Sequence, residues 1–81
     1  MDNLTNKLIK QYRYDTDEGE VIITRLKEKG KNWAEWWGQV EGCGIVTMLF
    51  AGERIGNRTE KETADYCAYE YYDVIIDTKG I

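Results

Sequence analysis

Histidine, serine and proline are all absent from this 81-residue sequence, and cysteine occurs only twice. Without imidazole the chain lacks the commonest general base and metal ligand, and a Cys–His nucleophile pair is impossible. Threonine is the only aliphatic hydroxyl, and no threonine stands in a G-x-S-x-G-like setting. Cys43 and Cys67 are 24 positions apart with no third thiol, so a structural zinc site cannot form. No P-loop and no G-x-G-x-x-G occurs. These absences point away from catalysis, and no cofactor or metal is expected. Long apolar runs are missing too. The longest, Ile45 to Ala51, contains a threonine and falls far short of the ~18 residues that span a bilayer. The first residues, Met1-Asp2-Asn3-Leu4-Thr5, have neither the basic nor the apolar part of a signal peptide. A cytoplasmic protein with reduced thiols is expected, with no membrane partner.

What is present suffices to fold. Hydrophobic residues make up 42% and aromatics 12%, including three Trp and six Tyr, which excludes a disordered chain. The length fits one domain over 1–81. Such a domain buries only about 60% of its unfolded surface, so functional sites should lie on the outside. The formal net charge of −4 is placed unevenly. Residues 1–31 hold seven basic and six acidic side chains, whereas residues 32–81 hold four and nine. An acidic half disfavours nucleic acid and favours a basic partner surface.

Glycine and Asx residues supply the punctuation. At the N-terminus two readings stand: a strand from Leu8 to Tyr14, or a helix over 3–12 from the Leu4, Leu8, Tyr12 spacing. A loop over Asp15 to Glu20 is followed by a β-branched strand, Val21 to Glu28. Asp15-Thr16-Asp17-Glu18-Gly19 opens like a calcium loop. However, Glu20 stands where glycine is required and Leu26 where a glutamate belongs, leaving an acidic hairpin loop. A turn at Lys29-Gly30-Lys31-Asn32 leads to a strand from Trp33 to Val40. The tight turn Glu41-Gly42-Cys43-Gly44 then leads to the most apolar strand, Gly44 to Ala51. After a loop over 52–58, Thr59-Glu60-Lys61-Glu62 matches the capping box and starts a helix running to about Tyr72. A last strand is expected from Asp73 to Thr78. The fold class is therefore α+β: an antiparallel β-meander of four to five strands with one α-helix packed on one face.

Ala64, Cys67, Ala68 and Tyr71 fall at i, i+3, i+4, i+7 and should face the sheet. That rotation sends Glu62, Tyr66, Tyr69 and Asp73 outward, flanked by Asp65 and Glu70, and this acid–tyrosine stripe is the leading candidate for partner binding. Tyrosine joins a rigid apolar body to a polar tip, and carboxylates beside it would meet Arg or Lys. A plain solvated helix face is the alternative. Trp33 and Trp37, on the second sheet face near Glu35, form a secondary surface, with core packing as the competing reading. Arg25, Lys27, Lys29 and Lys31, ahead of Trp33, could contact phosphates. Glu28 intervenes and the whole chain is acidic, so an edge strand guarded by lysines is the preferred reading of them.

From Trp33 to Thr78 the order is aromatic strand, hairpin, apolar strand, capped helix, β-branched strand. This resembles the small acidic proteins with which bacteriophages block host enzymes or defence systems. The ββαβ order is similar to the phage inhibitor of bacterial RNA polymerase, and size and acidity are similar to anti-CRISPR proteins. The order also resembles a double-stranded RNA-binding domain, whose helix is lysine-rich where this one is acidic. The phage resemblance implies an inhibitor that acts as a DNA mimic, whose partner is a host or bacterial protein with a basic, nucleic-acid-handling surface and which makes no direct nucleic-acid contact. A small nucleic-acid-binding module using Arg25–Lys31 and Trp33 is the second reading. A subunit that homodimerises through its open sheet face is the third.

Overall fold

The computed structural model describes residues 7–75. Four strands, β1 (Lys7–Thr16), β2 (Gly19–Glu28), β3 (Glu35–Val40) and β4 (Thr47–Ala51), precede one helix, α1 (Glu60–Tyr72). The strands pair with their sequence neighbours in the order β1-β2-β3-β4, every pair antiparallel. The fold is α+β, a four-stranded antiparallel sheet with a single helix on one face, and it measures 42 × 32 × 17 Å.

The N-terminal ambiguity resolves to strand. Tyr12 and Tyr14 alternate with exposed Gln11 and Arg13, and both tyrosines pack against the core. β1 and β2 are longer than expected because Thr16 pairs with Gly19, which shortens the loop to Asp17-Glu18. Two other strands are shorter than expected. β3 begins at Glu35 rather than Trp33, and β4 at Thr47 rather than Gly44, leaving Ile45 and Val46 exposed. At the turn after β2 the Lys31 amide donates to the Glu28 carbonyl at 3.1 Å. Gly30 supplies φ 88°, a left-handed value costly for residues with a Cβ.

The core lies between sheet and helix: Val21, Ile23, Trp36, Ala64, Cys67, Ala68 and Val74 are buried together. Trp36 is fully buried, and its indole N–H donates to the Gly52 carbonyl at 3.0 Å. Simple alternation along β4 would place Leu49 opposite Phe50. Instead Trp36 pairs with Phe50 and Trp37 with Met48, so Leu49 is the extra residue of a bulge. Leu49 and Phe50 thereby both reach the core, while Met48 shares the far face with Trp37.

The helix starts where the capping box places it. Thr59 Oγ accepts from the Glu62 amide at 3.1 Å, and the Glu62 carboxylate accepts from the Thr59 amide at 2.9 Å. Thr63, also buried, donates to the Thr59 carbonyl and accepts from the Ile55 amide, which ties the preceding loop to the helix. At the other end Asp73 adopts the left-handed conformation, φ 57°, and the Val74 amide reaches the Ala68 carbonyl. This reversal buries Val74 and ends the helix.

Three expectations need correction. Tyr71 does not face the sheet: it is 49% exposed, and its hydroxyl donates to the Leu49 carbonyl, while Tyr72 packs against the core instead. Asp73 to Ile75 is not strand, and the rest of the strand expected to Thr78 lies outside the described residues. The Arg25–Lys31 stripe is not on an edge strand, because β2 is flanked by β1 and β3. No helix among the described residues is long and apolar enough to cross a membrane.

Candidate interaction surfaces

The structure divides the acid–tyrosine stripe of α1. Glu62 is occupied by the capping box. Asp65 leans toward the sheet, where it accepts from the Tyr14 hydroxyl at 2.8 Å and from the Lys61 ammonium at 2.6 Å. Tyr66 is half-buried beneath the Arg58 guanidinium, 4.3 Å from its ring centroid. Glu62, Asp65 and Tyr66 therefore hold the helix in place. Tyr69, Glu70 and Asp73 remain exposed in the last turn, Tyr69 by 58%.

That last turn adjoins the β1–β2 hairpin tip. A cleft of about 440 Å³ is lined by Asp15, Thr16, Asp17, Glu18, Tyr72, Asp73, Val74 and Ile75. Four of these residues are carboxylates and none is basic. The acidic loop was visible in the sequence and so was Asp73, but their meeting across more than fifty residues was not. Among the described residues no group of three or more His, Cys, Asp or Glu is arranged to hold a metal ion.

The opposite end of the same hairpin is basic. Lys7, Lys27, Lys29 and Lys31 line a second cleft with Leu8, Glu28 and Gly30. The two ends are nine residues apart along β1, roughly 30 Å at a strand's rise. Screening at physiological salt acts over about 8 Å, so these lysines leave the carboxylate end uncompensated. The stripe itself is divided. Arg25, only 8% exposed, pairs with Glu53 at 2.9 Å and Glu60 at 3.2 Å and lies over the Trp36 ring. Lys27 pairs with Glu53 at 2.7 Å. Arg25 and Lys27 thus clamp the loop and helix onto the sheet, and only Lys29 and Lys31 are exposed at the turn.

No family model, curated protein or solved structure matches the chain.

Trp33 and Trp37 have different settings. Trp33, 46% exposed, precedes β3 with the Lys31 ammonium over its ring. Trp37 is half-buried on the far face, its indole N–H donating to Glu35 at 3.1 Å. Cys43 is exposed and Cys67 buried, both as free thiols.

The buried hydroxyl and thiol beneath α1 give stability a pH signature. Burial, then the hydrogen bond to Asp65, holds the Tyr14 phenol well above its ordinary range. Burial pushes the Cys67 thiol up to about 11. Both groups stay protonated in the fold, whereas unfolded Cys and Tyr ionise near about 8.5 and 10. Their contribution is therefore complete below those values and is lost as pH rises through and beyond them. Glu53 behaves oppositely. The hydrogen bond from Lys27, followed by the Lys27 and Arg25 charges, lowers its carboxyl. Its contribution is present above the ordinary value of about 4.3 and is lost as pH falls toward the lowered folded value. Melting temperatures should hold steady between about pH 5 and 8 and drop on both sides. Tyr14→Phe should shrink the alkaline limb to the part that Cys67 supplies, and Glu53→Gln should shrink the acid limb. Circular-dichroism melts from pH 3 to 11 check this, and unchanged limbs in the variants would remove the assignment.

Proposed function

We propose that the protein is a non-catalytic binding protein that occupies a basic, nucleic-acid-handling surface of another protein. The observation that carries this reading is the cleft holding Asp15, Asp17, Glu18 and Asp73 with no basic residue in its lining. Exposed Tyr69 and Glu70 extend it along the last turn of α1. Carboxylates clustered at one end of a small domain present a field like that of a phosphate run, which steers a cationic surface toward it. Tyr69 supplies the kind of aromatic anchor that dominates binding energy when desolvated.

The test is affinity capture from a bacterial lysate with three baits: the parent, the double reversal Asp17→Lys/Glu18→Lys, and Tyr69→Ala. The parent should retain a basic protein that an excess of DNA displaces. The reversal should weaken retention by about tenfold or more at low salt and by less at high salt. Tyr69→Ala should weaken it by about 2 kcal/mol while leaving the melting curve within about 0.5 kcal/mol of the parent. Equal retention by all three baits would refute the reading.

A further inference from the structure

No described element packs on the sheet face opposite α1, whose contacts are with β1, β2 and β3 on the other side. A row of uncharged side chains, Gln11, Thr24, Trp37 and Met48, crosses that open face through all four strands, with Ile9 and Leu26 paired beside it. Ile9 is 53% and Met48 45% exposed. Charge stands around this centre: Arg13 with Glu20 toward one end, Glu28 and Glu35 toward the other. Glu35 is itself tied to the Trp37 indole. An uncharged centre within a charged rim is the anatomy of a protein interface.

We propose that this face is the interface of a homodimer in which a second copy packs its own open sheet face against it. The acidic end calls for a cationic partner, whereas the central row of this face carries no carboxylate of its own and meets one only at Glu35, which the Trp37 indole already engages. A second copy brings the same uncharged row, with Trp37, Met48, Ile9 and Leu26 as its apolar part, and sheets pack face to face about 10 Å apart. The size fits as well. With strands about 4.8 Å apart and a rise of ~3.3 Å per residue, the face spans roughly 19 by 27 Å, or about 500 Å² per copy. Two copies bury on the order of 1,000 Å², the lower bound for a specific contact and the range of dimers that dissociate on dilution. Both helices and both acidic ends would then point outward, so the dimer goes beyond the functional reading without depending on it.

Sedimentation of the full chain with no partner present tests this. Near 100 µM the parent should sediment at twice its 9.5 kDa mass, and near 1 µM at the single-chain mass. Trp37→Glu places two like charges near the centre of the dimer and should give single chains at both concentrations. Ile9→Glu should do the same from an exposed position whose substitution does not threaten folding, with circular dichroism unchanged. A parent that stays at 9.5 kDa at 100 µM overturns the proposal. So does a dimer that survives both substitutions, or one abolished by Asp17→Lys/Glu18→Lys instead.

Discussion

Trp36→Ala is expected to cost about 3–5 kcal/mol, on the order of half the stability of this protein. Domains are stable by roughly 0.05–0.15 kcal/mol per residue, so 81 residues supply only about 4–12 kcal/mol. Trp36 is the largest fully buried side chain. Its ring stacks on Tyr12 from β1 with centroids 6.3 Å apart, and it lies under the Arg25 guanidinium. Its indole N–H holds the Gly52 carbonyl, and the Gly52 amide in turn donates to Ala34 at 2.7 Å. Truncation therefore leaves a large cavity, frees a carbonyl at the start of the loop to α1, and removes the surface on which a buried guanidinium rests. Urea titration followed by far- and near-ultraviolet circular dichroism measures the loss. Trp33→Ala is the internal comparison: it removes the same indole from an exposed position and should cost about 0.5 kcal/mol or less. Equal costs for the two would show that Trp36 is not the centre of the core.

Gly38→Val is the second large effect expected, at about 3 kcal/mol, the upper end for overpacking a core. Gly38 is needed for space rather than for its backbone angles. A Cβ there would lie 2.5 Å from the Tyr72 hydroxyl oxygen, 2.6 Å from Tyr72 Cε2 and 2.9 Å from Leu49 Cδ1. Tyr72 crosses β3 at the one residue without a side chain, which lets the end of α1 settle onto the sheet. A valine must push out both Tyr72 and Leu49. The clash makes the two sites dependent on each other, so in a Tyr72→Ala background the cost of Gly38→Val should fall by at least about 1 kcal/mol. Denaturant titration of the two single variants and the double variant measures that coupling. Strict additivity would mean that Tyr72 does not occupy the space above Gly38.

Wherever the decisive interaction spans a few residues, the sequence by itself determined the outcome. The capping box of Thr59 and Glu62 lies within one helical turn, and it set the start of α1 to the residue. Val21-Ile22-Ile23-Thr24 identified β2 because β-branched side chains restrict the backbone locally. Ala64, Cys67 and Ala68 marked the buried side of the helix through spacing alone. The same spacing misassigned Tyr71, since adjacent helical positions differ by only 100° and the choice between Tyr71 and Tyr72 depended on the gap above Gly38.

What remained was decided by pairings distant in sequence. The bulge at Leu49 turned two neighbouring apolar residues into one core. Burial of Arg25 required Glu53 and Glu60, which approach it only after the loop folds back. Asp65 was drawn from the candidate site by Tyr14, 51 residues away. The acidic cleft itself exists because the hairpin tip and the end of α1 meet. Such contacts leave no local pattern. A carboxylate has the same propensities whether it will salt-bridge, cap a helix or face solvent, and only the tertiary structure chooses its neighbour.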